Sequence, residues 1–131
     1  MRLEQGLKAA LEADADVSAL VSARVYLERM PQTEVYPCIV FNRISTSQGG
    51  LLSEVETLTE VRIQVDCWAE SYPVLYDLAK KVRTLLSGYQ GDMGGVSVQW
   101  SKFENEVNAS DFDGDEVELR QILNFTFWLH E

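Results

Sequence analysis

The chain has 131 residues, 46% hydrophobic and 10% aromatic, with 11 Lys and Arg against 21 Asp and Glu for a formal charge of −10. A chain of this length builds a real core, and its aromatic and β-branched content excludes wholesale disorder. The acidic excess argues against broad phosphate-neutralising contacts to nucleic acid, and no apolar run approaches the roughly 18 residues that suggest a membrane span.

Residues 2–13 read as a helix, because Leu3, Leu7, Ala10 and Leu11 recur at helical spacing while Glu4, Lys8 and Glu12 fall elsewhere. Asp14 or Asp16 is placed to cap a second short helix carrying Val17, Leu20 and Val21. Val25, Tyr26 and Leu27 suggest a short strand. Pro31 and Pro37 then bracket an extended or looped segment, since each lacks an N–H and biases its predecessor away from helix. Residues 38–44 are β-branched and aromatic and read as a strand. The polar stretch 45–53, around Gly49 and Gly50, is expected to be a mobile connection.

A long strand is expected over 56–69, where Val61, Ile63, Val65 and Cys67 alternate with Arg62, Gln64, Asp66 and Trp68. Residues 72–87 give the clearest helix, with one stripe of Leu75, Leu78, Ala79, Val82, Leu85 and Leu86. Ser71 is its expected N-cap, with Pro73 in the first turn, and Gly88 its stop. Residues 91–95 read as a Gly-rich turn, and 96–103 alternate as a strand. Residues 104–118 hold seven acidic side chains and no basic one, which reads as an exposed connection. In the last strand, 118–129, Leu119, Leu123, Phe125, Phe127 and Leu129 share one face and Ile122, Asn124, Thr126 and Trp128 the other.

This order places the chain in the α+β class: an antiparallel β-sheet with helices packed on one face, a two-layer sandwich. No repeat or linker divides it, so 1–131 is read as one domain. The face away from the helices offers Trp68, Ile122, Thr126 and Trp128 beside Arg62, Gln64 and Asn124. That mixture is too apolar for a face meant only for water and fits burial against another chain or layer.

Catalytic and metal chemistry find little support. The carboxylates Asp111, Asp113, Asp115, Glu116 and Glu118 invite a calcium reading, but Gly114 is fourth rather than sixth and the distal Glu is missing, so a solvated acidic turn is preferred. Cys38 and Cys67 lack CxxC spacing and lie in apolar stretches, as buried hydrophobes do. His130, the only histidine, has no nucleophile pattern beside it, and Ser45, Thr46 and Ser47 read as turn chemistry. The pairs Gly49, Gly50 and Gly94, Gly95 lack the spacing of phosphate loops. Trp68, Trp100 and Trp128 suit core, ligand platform or interface, and Lys80, Lys81 and Arg83 suit a solvated helix face. The start at Met1 shows no signal-peptide core, so export is not expected. No cofactor and no metal is expected.

The run of marks resembles the tailed-phage tail-completion, or tail-terminator (head–tail joining), proteins. Ala9, Ala10 and Leu11 through Asp14 to Val17 resemble the opening of that family, followed by Arg24-Val25-Tyr26, Pro37 to Phe41 and Arg43-Ile44-Ser45. The strongest marks are Val61 to Ala69, the helix after Tyr72, and Leu123 to Leu129. The resemblance spans essentially the whole chain and rests on structural rather than catalytic motifs. It implies a non-enzymatic virion protein of a phage or prophage, assembled in the bacterial host cytoplasm into a ring, typically a hexamer. Such a ring caps the tail tube, ends its polymerisation and docks to the head connector. The implied partners are further copies of the chain, the tail tube protein and the head connector protein. DNA passes through the lumen without specific binding, and no membrane is involved.

Candidate interface residues are Arg62, Gln64, Trp68, Ile122 and Trp128, with Gly49, Gly50 and Leu51 in the connection. Asp111, Asp113, Asp115 and Glu116 are candidates for an acidic lumen or docking loop, where they would repel the DNA backbone. The residues alone leave one alternative: a small non-catalytic binding module using the Trp-bearing sheet face.

Overall fold

The computed structural model describes residues 2–32, 35–51, 57–113 and 116–130. In chain order they form α1 (Leu3–Ala13), α2 (Ala15–Val21), β1 (Val25–Leu27), β2 (Cys38–Leu51), β3 (Thr57–Ala69), α3 (Tyr72–Leu86), β4 (Gly91–Met93), β5 (Val96–Asn108), β6 (Asp111–Asp113) and β7 (Glu116–Leu129). The sheet runs β1-β2-β3-β7-β5-β4, with β6 paired to β7. Asp14 ends α1 and caps α2, its carboxylate accepting the Asp16 N–H at 3.2 Å. Ser71 sits at the N-cap of α3 without a side-chain bond, and Gly88 follows its C-terminus at a positive φ of 63°.

Period-two patterning decides which face is buried. Val61, Ile63, Val65, Cys67 and Ala69 of β3 and Leu119, Leu123, Phe125, Phe127 and Leu129 of β7 are all buried. They share one core with Leu3, Leu7 and Leu11 of α1, Val17 and Val21 of α2, and Leu75, Leu78, Ala79, Val82 and Leu86 of α3. The most bulky members are Phe41, Phe125 and Phe127, each worth about 3 kcal/mol or more against Ala in such a setting. No helix among the described residues is long and apolar enough to cross a membrane.

Four expectations need correction. The sheet is not purely antiparallel, because β1 pairs with β2 in parallel. Residues 45–51 are not a connection: β2 continues through Leu51, pairing Ser45 with Arg62 and Leu51 with Thr57. The acidic stretch is likewise strand through Asn108, then the short β6. Residues 91–93 form β4 rather than part of a turn. In the last three cases cross-strand hydrogen bonds to a neighbouring strand outweigh a weak local propensity, which is the usual limit of β-propensity.

Alternation in β5 is also broken. A register shift between Val98 and Trp100 leaves both Gln99 and Trp100 exposed and turns Ser101 into the core. Ser101 is fully buried; its hydroxyl donates to the Leu86 carbonyl and accepts the Tyr89 N–H at 2.8 Å. Gly88 N–H also donates to the Ser101 carbonyl at 3.0 Å, so this residue ties the end of α3 to the sheet. Ser101→Ala strips the Tyr89 N–H and Leu86 carbonyl of that partner at once. The expected loss is about 1.5 kcal/mol, read as a lower urea midpoint at unchanged slope.

Candidate functional site

The sheet face away from the helices is organised in rows set by register. From one end they are Trp68 and Arg120; then Val40, Asp66, Ile122 and Val107; then Asn42, Gln64, Asn124 and Asn105. Next come Ser45, Arg62, Thr126 and Lys102, and last Ser47, Glu60, Trp128 and Trp100.

The Trp68 end is closed. The Tyr36 ring stacks on Trp68 at 6.3 Å and 9°, and the Arg120 guanidinium lies 5.0 Å from the Trp68 ring. Arg120 Nη2 donates to Asp66 Oδ2 at 2.5 Å, and Gln64 Nε2 to Asp66 Oδ1 at 2.9 Å. Asp66 is thereby buried on a face where alternation alone suggests water. Trp68 Nε1 is buried without a hydrogen-bond partner among the described residues.

The centre is an open groove of about 390 Å³ lined by Arg62, Gln64, Glu104, Asn105, Asn124 and Thr126. Asn124 Nδ2 donates to Asn105 Oδ1 at 2.6 Å, and Thr126 Oγ1 to Glu104 Oε1 at 2.9 Å. Ile44, Ile63 and Phe125 complete its lining, so polar side chains and one cation sit beside apolar surface. At the far end Trp128 and Trp100 stack at 5.0 Å and 14°, with Trp100 43% exposed. Such an offset pair holds a rigid aromatic surface in water, as interface anchors do.

Arg62, Gln64, Trp68, Ile122 and Trp128 therefore do share one face, but not one patch. Trp68 and Trp128 stand at opposite ends of it, and Trp128 meets Trp100 instead. Strict alternation hid Trp100, since only the shift after Val98 turns it onto this face. Gly49, Gly50 and Leu51 lie at the end of β2. Asp111 is exposed in β6, Asp113 ends β6 and Glu116 begins β7, while Asp115 lies outside the described residues.

Among the described residues no three His, Cys, Asp or Glu side chains gather as metal ligands. Cys38 and Cys67 are buried, and burial, helped by Asp66, Glu106 and Cys38, pushes the Cys67 thiol far up, so it stays protonated.

Comparisons with known proteins place this geometry. The family model described as "Tail completion protein gp17" matches residues 5–130. A solved chain from "Virion of native gene transfer agent (GTA) particle" has a similar fold, at a TM-score of 0.72 and 14% identity over 98% of this chain and 95% of that one. No curated protein matches the chain.

Proposed function

The chain belongs to the tail completion protein gp17 family, a family of structural phage tail proteins, and from that premise we propose that it is the tail terminator of a phage or prophage. Copies assemble into a ring, a hexamer, that caps the tail tube, ends tube polymerisation and offers the head connector its docking surface. The observation that carries this reading is the family match over nearly the whole chain. The fold is compatible with it. A two-layer arrangement, helices against one sheet face, leaves the other face for neighbours. A ring needs two different surfaces per copy, each complementary to the other.

Two β arms extend the sheet in opposite directions. The β2–β3 arm runs past Leu129, and the β6–β7 arm runs past Ala69. One arm suits the tube and the other the connector. The acidic β6–β7 arm suits the lumen, where like charge lets DNA slide rather than adhere.

The test is mass in solution by light scattering over a concentration series, with tail lengths compared in particles made with and without the protein. A discrete ring mass and over-long tubes in its absence are expected. A lasting monomer with tubes of normal length overturns the reading. Trp128→Ala removes half of the exposed aromatic stack. It is expected to weaken self-association more than tenfold while costing only about 1 kcal/mol of folding. Equal loss of both assigns Trp128 to the core. The binding-module alternative rests on the same exposed stack, and salt-dependent DNA binding by a monomer would favour it.

A further inference from the structure

Both edges of the sheet are stepped. On one, β1 covers only Ile39, Val40 and Phe41 of β2, with Glu28 N–H adding a bond to the Phe41 carbonyl at 3.0 Å. Beyond that point, 42–51 of β2 has no outer strand among the described residues. On the other edge, β4 covers only 96–98 of β5 and Gly88 takes the Ser101 carbonyl. There 102–108 has no outer strand among the described residues.

The steps stand at complementary heights. Through β2, β1 is level with Val65, Asp66 and Cys67 of β3. Through β7, the uncovered Glu106, Val107 and Asn108 of β5 are level with the same three residues. At the opposite end Gly91 of β4 is level, through Val98 and Leu129, with Thr59, which is where uncovered Gln48 of β2 pairs. Each edge projects where the other is recessed.

Strand direction and side chains agree with that fit. β1 runs with β2 and opposite to β5, so a copy rotated about an axis along the strands brings β1 beside β5 antiparallel. Exposed edge strands ordinarily carry charge or proline to prevent pairing. Here Lys102, Glu104 and Glu106 charge the uncovered stretch of β5 and Lys8 Nζ caps the Val25 carbonyl of β1, while Leu27 and Ile44 on one edge and Trp100 and Val107 on the other are between 43% and 56% exposed.

We propose that copies of this chain join head to tail through these stepped edges. β1 of one copy pairs with 106–108 of the next, and β4 of that next copy pairs with the open end of β2 of the first. The inference rests on the ring reading and names its joint. Head-to-tail pairing that closes on itself leaves no copy with a free terminal edge, which favours a ring over a filament, with a one-strand gap level with Glu60 to Gln64 of β3. The row Tyr26, Val40, Asp66, Ile122 and Val107 then continues across the joint, with Tyr26 beside Val107 of the neighbouring copy.

The test is disulfide capture in the full chain. Tyr26→Cys with Val107→Cys puts the two thiols four strand spacings apart along the sheet in one copy, about 19 Å of sheet width. A bond within one copy would leave the band at monomer mass, and only a bond between copies gives a dimer or higher band. Leu27→Cys with Glu106→Cys probes the same level on the helix side, should the half-buried Tyr26 be needed for folding. Tyr26→Cys with Trp100→Cys is the off-level control, its two sites offset by the Glu60-to-Asp66 stretch of β3, about 20 Å. Non-reducing gels are expected to show a ladder past the dimer for the two matched pairs and none for the control. Wild-type assembly by light scattering without a ladder in either matched pair overturns the joint and leaves the ring reading standing. A ladder of equal strength from the control overturns the register. A chain monomeric at every concentration and giving no ladder overturns both.

Discussion

Gly6→Ala is expected to destabilise the protein by about 2–3 kcal/mol, although Gly sits in the middle of a helix, where Ala normally gains close to 1 kcal/mol. The sign reverses because α1 crosses β4 at this residue. A Cβ on Gly6 would overlap the Met93 carbonyl oxygen and come within 3.4 Å of Val96 Cγ2. Backbone cannot give way as a flexible side chain does. Opposite it, Gly94 has a φ of 57°, and a Cβ there would stand 2.8 Å from the Gly6 Cα. The two glycines allow a backbone-to-backbone approach that seats Leu3, Leu7 and Leu11 in the core. For a domain of this size the change is expected to lower the melting midpoint by about 10 °C. Gly88→Ala is the comparison: its Cβ meets nothing within 4 Å, so only the strain of its positive φ is felt. A Gly6→Ala variant that melts at or above the parent temperature would mean that α1 does not dock on β4.

Periodicity revealed the elements whose two faces differ. Val61 to Trp68 alternates without a break, and the α3 stripe from Leu75 to Leu86 is continuous, so both were legible in the chain alone. What stayed hidden were strands held by their neighbours. Residues 45–51 and 104–108 are mostly polar and carry only a weak local β signal in Thr46 and Val107, yet they pair with β3 and β7. The order β3-β7-β5 was also not visible, because pairing of β3 with β7 skips four elements.

The candidate surface was legible only in outline. Alternation put Arg62, Gln64, Trp68, Ile122 and Trp128 on one face, and they lie there. It gave no account of Asp66, which a local rule leaves in solvent and which Arg120 and the Tyr36–Trp68 stack enclose. Contacts between residues 54 positions apart, such as Arg120 with Asp66, leave no trace in a short window. One end of the face is thus internal structure, and the groove and the Trp100–Trp128 stack are its open part.

Arg120→Ala tests that division. Asp66 keeps only the Gln64 amide once the guanidinium is gone, at a site where the carboxylate is 5% exposed. An uncompensated buried charge usually costs about 3–5 kcal/mol, and the partial exposure of Arg120, at 29%, argues for the lower end, about 3 kcal/mol. Part of that loss is the flat guanidinium over Trp68, which lysine does not reproduce, so Arg120→Lys is expected to recover about half. The charge and packing contributions separate in a double-mutant cycle. Asp66→Asn removes the charge that Arg120 neutralises, so Asp66→Asn with Arg120→Ala is expected to be more stable than Arg120→Ala alone, by about 1 kcal/mol in urea titrations. If the two changes simply add, Asp66 is solvated and the Trp68 end of the face is as open as the groove. The open part of the face would then extend across all five rows rather than stopping at the amide row of Gln64, Asn124 and Asn105.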